Sequence, residues 1–276
     1  MTAATQPNRS ERDIGGFRVF DGKGIILKNG AQLINRTPSI MDHFAYGAGA
    51  FNSHVPQNWV TTETGAATPF APGATGITVA TAVTGGTTNN AEELAGKNVA
   101  WVPSTMALNQ FILLEVRAKF VGTTTPADGD FYIGMANAVT YTNSLPYVVS
   151  AASALTTSAP VEFAGFGYSS IPSSGALFNS GGNNFIGIFT EISSVAPAPK
   201  ATSPAVVKDS LYHIYRVVID SGGNAAFYID DAFVGSTIGA VTAATALVPY
   251  INVVAKNSHT HTATIDYIYV GADVSA

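Results

Sequence analysis

Residues 215–231 read YRVVIDSGGNAAFYIDD. Two apolar runs flank the polar turn SGGN. In a strand, successive side chains point to opposite faces. Over 212–220 one face carries Tyr212, Ile214, Arg216 and Val218, and the other carries His213, Tyr215, Val217 and Ile219. Both faces are largely apolar, so the strand is expected to be covered on both sides or to lie centrally in a curved sheet. The glycines of SGGN take positive φ without steric cost, which suits a tight turn. Beyond it, Phe227 and Ile229 fall on one face and Tyr228 and Asp230 on the other. Burying an aromatic or aliphatic side chain contributes about 1.5–3 kcal/mol. Several per strand offset an ordering entropy of about 1–2 kcal/mol per residue. The stretch therefore reads as an antiparallel hairpin. Its closing pair, Asp230 and Asp231, leaves three readings open: the rim of an active site, a sugar-binding loop, or plain sheet. Consecutive strand residues face opposite ways and cannot share a cation without a bulge. One aspartate is expected to face solvent and the other to cap the next turn.

The same alternation of apolar runs and Gly, Pro or Asn turns fills most of the chain. ITVAT (77–81), FILLEVRAKFV (111–121), DGDFYIGMAN (128–137), VEFAGFGYSS (161–170) and NFIGIFTEIS (184–193) read as strands. So do LYHIYRVVID (211–220), AAFYIDDAFVGS (225–236), LVPYINVVAK (247–256) and TATIDYIYVGA (262–272). In the last of these, alternation places Ile265, Tyr267 and Tyr269 on one side and Asp266, Ile268 and Val270 on the other. Helical periodicity is limited to AEELAGK (91–97), read as a single turn, and no internal repeat is present. Many strands at roughly ten-residue spacing indicate a sandwich or barrel. Two regions are expected. Residues 41–276 form the sandwich. Residues 1–40 form an arm, unstructured over 1–13, then with short strands at FRVF (17–20) and GIILKNG (24–30) about Asp21-Gly22.

Charged residues make up 11% of the chain, against about 25% in typical soluble domains. Thr, Ser, Asn and Gly must supply the polarity, a composition that favours strands and turns over helices. The net charge is −5, and basic residues gather only as Arg9, Arg12 and Arg18. That is not the cationic stripe nucleic acid needs, so no nucleic-acid partner is expected. The three arginines read as a solvated arm or as contacts to an acidic partner. There are no cysteines, which removes disulfides, thiolate chemistry and Cys-based zinc sites. No stretch approaches eighteen consecutive apolar residues, so no membrane-spanning helix is expected. The polar start MTAATQPNRSERDIGG lacks a signal-peptide core and predicts synthesis in the cytoplasm, with any exit by release of a particle.

The segments YHIYRVVIDSGGNAAFYIDDAFVGS, LVPYINVVAK and TIDYIYVG, with FILLEVRAKF and GDFYIGMAN upstream, resemble the concanavalin A-like (laminin-G-like) jelly roll. The resemblance spans residues 100–276 and implies an all-β, jelly-roll β-sandwich. Its glycan-cleaving members carry E-x-D-x-x-E on one strand, a spacing that puts paired carboxylates on one face. Glu115 is followed two residues on by Arg117, Glu92 and Glu93 fall in the predicted turn, and Glu162 and Glu191 stand alone in their strands. The motif is absent, so no enzyme is expected. No serine lies in G-x-S-x-G, and GGTTNN (85–90) lacks the lysine of a phosphate loop. No cofactor is expected.

Weaker ligand signals remain. His259 and His261 flank Thr260 and, if extended, share a face as metal ligands, with His213 as the candidate third; the alternative is a polar strand edge. Asp128 and Asp130 offer oxygen ligands for Ca²⁺ or simply mark a turn. Trp59 and Trp101, with Tyr46, Phe51 and Phe70, read as a sugar platform or as core packing.

The whole chain also resembles phage head decoration (cement) proteins, in which a jelly roll sits on the capsid and terminal arms grip its subunits. That resemblance implies a homotrimer on the outer surface of a virion, bound to the major capsid protein and stabilising the shell. The arm anchors would be Arg9, Arg12, Ile14, Phe17, Arg18, Val19, Phe20, Ile25, Ile26 and Leu27. The alternative is a lectin-like carbohydrate-binding module on a phage head or tail, with host-surface or environmental glycans as partners.

Overall fold

The computed structural model describes residues 11–14, 17–20, 24–25, 40–42, 59–64, 67–73, 76–81, 90–96, 100–107, 110–122, 130–137, 148–149, 155–156, 162–168, 185–192, 200–255 and 261–274. The chain divides into two compact units, Met1–Pro38 and Ser39–Ala276. In the first, β1 (Glu11–Ile14), β2 (Phe17–Phe20) and β3 (Gly24–Ile25) form an antiparallel three-stranded sheet. The register pairs Ile14 with Phe17 and Val19 with Ile25. The strand at β1 begins inside the segment expected to be unstructured. Arg9, Ile26 and Leu27 lie outside the described residues.

The second unit is a sandwich of two antiparallel sheets. One has seven strands in the order β15 (Lys200–Ala201), β14 (Gly187–Glu191), β13 (Phe163–Tyr168), β10 (Asp130–Asn137), β19 (Leu247–Ala255), β8 (Asn90–Gly96) and β5 (Trp59–Thr64). The other has eight. Its path runs β18 (Ala232–Thr237), β17 (Ala225–Ile229), β16 (His213–Asp220), β9 (Gln110–Gly122), β20 (His261–Val274), β7 (Gly76–Thr81) and β6 (Ala67–Gly73), with β4 (Ile40–Asp42) also paired to β20. The strands β11 (Val148–Val149) and β12 (Leu155–Thr156) form a separate pair. Among the described residues the only helix is the 3₁₀ turn Pro103–Thr105. The segment AEELAGK, expected to turn, is instead strand β8. Pairing on both sides with β5 and β19 overrides its helical propensity.

Alternation decides the core. In β9, Ile112, Leu114, Val116, Ala118 and Phe120 point inward, while Glu115 points away from the other sheet. Inward residues of the facing sheet include Phe131, Ile133 and Met135 from β10 and Phe166 and Tyr168 from β13. In β20 the simple alternation fails. A bulge falls between Ile265 and Tyr267, so that Asp266 is the extra residue. Ile265, Ile268 and Val270 therefore all face the core, and Tyr267 and Tyr269 face outward. The expected grouping of Ile265 with the two tyrosines is corrected by that one inserted residue. The neighbouring edges β15 and β18 are tied together. Lys200 Nζ donates to Thr237 Oγ1 (3.2 Å), and Ser203 N–H donates to Val234 O (2.8 Å).

The hairpin of 215–231 forms as β16 and β17, and its SGGN turn is held by Asp220. One carboxylate oxygen accepts from Gly222 N (2.8 Å) and Asn224 N (3.0 Å). Gly223 sits at φ +81, and a Cβ there would lie 2.2 Å from Val241 O, so only glycine fits. The run AAFYIDDAFVGS is two strands, not one. Asp230 (φ 50) and Asp231 (φ 66) make a tight turn with the positive-φ signature of a type I′ hairpin.

Glycines set the other face of the seven-stranded sheet. Gly134 and Gly165 are opposite one another in register. A Cβ on Gly165 would lie 2.1 Å from Ile133 O and 2.6 Å from Phe163 Cζ. The absence of side chains lets the Phe163 ring lie against the sheet. Gly165→Ala is expected to cost about 1–3 kcal/mol through overpacking, read as a lowered midpoint in urea unfolding. An unchanged midpoint would contradict this, because moving the ring cannot relieve the contact with the Ile133 carbonyl oxygen.

Candidate functional site

The face of the seven-stranded sheet turned away from the core is a second buried layer. Its rows follow from the register. One row runs Glu191, Phe163, Ala136, Val248; the next runs Phe189, Gly165, Gly134, Tyr250; the third runs Gly187, Gly167, Tyr132, Asn252. The aromatic members are all buried. Tyr132 and Phe189 meet edge to face at 5.5 Å, and Phe163 and Tyr250 do so at 6.2 Å. Both rings of the first pair come within 2.8 Å of where a Cβ on Gly167 would be. Glycine thus provides the floor and aromatic rings lie on it.

Glu191, the last residue of β14, is 0% exposed, and neither carboxylate oxygen has a hydrogen-bond partner. Burial pushes its pKa up from 4.5 to about 7. A buried acceptor without a donor carries its full desolvation penalty.

The outward face of the eight-stranded sheet carries charge that is paired. Arg216 donates to Glu115 Oε2 through Nε (2.9 Å) and Nη2 (2.7 Å), and Nη2 also meets Asp231 Oδ1 (2.7 Å). Tyr267 Oη donates to Glu115 Oε1 (2.7 Å). Burial raises the Glu115 pKa against the lowering effect of Tyr267 and Arg216. Breaking a buried pair of this kind costs about 3–5 kcal/mol, because the surviving charge is stranded. Arg117 pairs with Asp266, the bulge residue, and lies 4.5 Å from the centre of the Tyr212 ring. His213 is clamped by two carboxylates, Nδ1 to Asp230 at 2.6 Å and Nε2 to Asp209 at 3.1 Å. Burial works to lower its pKa, but the bonds to Asp230 and Asp209 outweigh that and raise it above 6.5.

These contacts resolve the question of the two aspartates. Asp230 Oδ1 accepts from Ile214 N (2.9 Å) and its Oδ2 holds His213, while Asp231 takes Arg216. Both reach back to β16, rather than one to solvent and one to the following turn. Positive φ at both positions breaks the alternation that would have separated them.

The remaining expected site residues are placed as follows. Trp59 and Trp101 are each 1% exposed and belong to the core. The expected sugar platform is corrected: neither ring presents a face to a ligand. Tyr46 and Phe51 lie outside the described residues, and Phe70 is in β6. His259 and Asp128 also lie outside them. His261 is buried, with Nδ1 3.2 Å from the carbonyl oxygen of Asp130, itself buried. Among the described residues no three His, Asp or Glu side chains gather to hold a metal. Glu191 was read from the sequence only as an acid standing alone in its strand, not as a site residue. Its signal was an acid inside the apolar run FIGIFTEI.

No protein-family model matches the chain, and no curated protein matches its sequence. Solved structures do match its fold. The carbohydrate recognition domain of Emp47p aligns with 87% of this chain and 98% of its own, at TM-score 0.53 and 11% identity. Lectin II from Ulex europaeus aligns with 86% of this chain and 99% of its own, at TM-score 0.53 and 9% identity. Peanut lectin in complex with a nine-residue peptide aligns with 88% and 100%, at TM-score 0.52 and 12% identity. The sandwich is a concanavalin A-like jelly roll of the legume-lectin type.

His213, Glu191 and Glu115, all raised on folding, give stability a defined pH dependence, each contribution being lost as pH rises. His213, raised when folded, contributes fully below pH 6.5 and loses that contribution as pH rises through its folded pKa. Glu191 is also raised when folded, so stability falls as pH rises from 4.5 to about 7, by about 3 kcal/mol. Urea unfolding against pH is expected to show a more stable protein in mild acid than at neutrality. Glu191→Gln is expected to flatten most of the fall. A profile that rises toward neutral pH, or one that the variant leaves unchanged, would contradict this.

Proposed function

We propose that the chain is a non-enzymatic carbohydrate-binding module whose ligand is held at the seven-stranded sheet. The observation that carries this reading is the end-to-end fit to a carbohydrate recognition domain, 98% of which is matched. Binding is favoured over cleavage by the register. Hydrolysis needs a second carboxyl group about 5–9.5 Å from the first. The row of Glu191 continues through Phe163, Ala136 and Val248, and the adjacent row carries no acid. The neighbouring Glu162 is engaged elsewhere, with Oε2 accepting from Thr242 N at 2.7 Å.

A second reading is a trimeric decoration protein bound to the major capsid protein on the outer surface of a virion. The feature that favours it is the separate first unit, Met1–Pro38, whose strands hold Arg12, Ile14, Phe17, Arg18, Val19, Phe20 and Ile25. An arm that adds strands to a neighbour's sheet edge would need such a unit.

A panel of immobilised neutral and acidic glycans separates the two. The carbohydrate reading expects binding to at least one at roughly millimolar affinity or better, and a blank panel would count against it. The attachment reading expects a chain lacking residues 1–38 to stay folded and lose its hold on the parent particle. Undiminished attachment by that truncated chain would exclude the arm.

A further inference from the structure

We propose that His213 is a protonation-dependent latch: as the imidazolium it ties the end of a strap, residues 200–211, to β16, and once neutral it lets the Asp209–Leu211 turn of that strap go. The latch is independent of what the chain binds.

The strap leaves the edge of the seven-stranded sheet at β15 and runs to the start of β16 in the other sheet. Its first part is bonded to both sheets. Thr202 Oγ1 donates to Ile186 O (3.2 Å) and accepts from Val206 N (3.0 Å), and Ile186 N donates to Val206 O (2.8 Å). Ser203 N donates to Val234 O of β18 (2.8 Å), and Val206 packs on the core. After the bridge between Val207 and Phe185, strand pairing stops until His213. Over that gap Lys208 lies against the Tyr168 ring, and the exposed Leu211 donates its N–H to Asp209 Oδ1 (2.7 Å).

The same Asp209 oxygen is 3.1 Å from His213 Nε2, and Asp230 Oδ2 is 2.6 Å from Nδ1. A neutral imidazole carries one N–H, and only the imidazolium donates from both nitrogens. A carboxylate on each nitrogen therefore calls for the charged ring. When the proton leaves, one bond must go. Asp230 is pinned to β16 twice more, since its Oδ1 accepts from Ile214 N (2.9 Å) and its N–H donates to Ile214 O (2.9 Å). Asp209 reaches β16 through the ring. The bond to Asp209 is the longer and the less supported, so it is the one lost. The Nε2 lone pair then faces a carboxylate oxygen and pushes the turn away.

The other charged groups of the described elements around the ring are turned elsewhere. Opposite His213 on β9 is Ala118, and the flanking Arg117 and Lys119 lie over the Tyr212 ring. Asp266 pairs with Arg117, while Asp231 and Glu115 pair with Arg216. His261 meets the Asp130 carbonyl oxygen. Tyr215, the next residue on the same face of β16, stands edge-on at 6.2 Å. The two aspartates outweigh burial, so the latch stays closed past the pH at which a free histidine loses its proton. Asp209 is part-exposed, which gives the proton and the turn a way out to solvent.

Nuclear magnetic resonance of the full chain labelled with ¹⁵N, from about pH 5.5 to about pH 9, tests this. The His213 ring is expected to show two protonated nitrogens at the acid end and a proton on Nδ1 alone at the alkaline end. With the same midpoint, the amide order parameters of Ser210 and Leu211 are expected to fall from about 0.85 to below about 0.6, while those of Val116 and Val217 hold. Asp209→Asn is expected to move the ring's titration to lower pH and to leave Ser210 and Leu211 mobile at neutral pH. The first measurement uses the unaltered chain, so it does not depend on the variant folding. A ring that keeps one charge state throughout, or retains its last proton on Nε2, overturns the latch. So does a ring that titrates while Ser210 and Leu211 keep their order, or a variant that behaves as the unaltered chain does.

Discussion

The two sheets are pinned by aromatic rings that meet across their interface. Phe120 of β9 and Phe131 of β10 stack at 3.9 Å with their planes 5° apart. Tyr215 of β16 sits edge-on to both, at 6.3 Å and 6.0 Å, and Phe166 of β13 closes the group at 5.5 Å from Tyr215. Four strands from two sheets thus share one cluster. Large rings bury much apolar area, and their offset and edge-on contacts add about 0.5–1.5 kcal/mol per pair. The cluster fixes which face of each strand is inward. That choice determines what is left for the outward faces, and the two sheets use their outward faces differently.

On the eight-stranded sheet the outward face carries a polar network in which Arg216, Arg117 and His213 each meet a carboxylate. Glu115 is held by Arg216 and Tyr267, and His213 by Asp209 and Asp230. The groups are satisfied, which makes this face structural. On the seven-stranded sheet the outward face is an aromatic layer on glycine, and its carboxyl group is unsatisfied. A protein can keep an unsatisfied acid only if the rest of the fold is stable enough to carry it. The contrast between the two faces, more than any single residue, directs attention to the seven-stranded sheet.

Much of this was legible from residue order. The alternation in FILLEVRAKF placed Ile112, Leu114 and Phe120 on one side, and that side is the core. The hairpin at 215–231 formed as read, and the jelly-roll resemblance agrees with the fold of the matched lectins. Three features were not legible. The bulge at Asp266 shifts the face of everything after it, and a one-residue insertion leaves no mark in an alternating string. Segment 91–97 has helical residues in a position where pairing on both sides dictates a strand. The turn at Asp230 and Asp231 needs left-handed backbone, more often signalled by Asn-Gly or Asp-Gly.

Sequence alone determined that this chain is built from strands, which of them are amphipathic, and that no strand carries the E-x-D-x-x-E spacing. Those properties depend on spacing along the chain, which is local. The tertiary structure decided that Trp59 and Trp101 are core rather than platform, and that Asp230 and Asp231 serve one strand. It also left Glu191 without a donor. Burial and hydrogen bonding are set by residues distant in sequence, and only the pairing of strands brings them together.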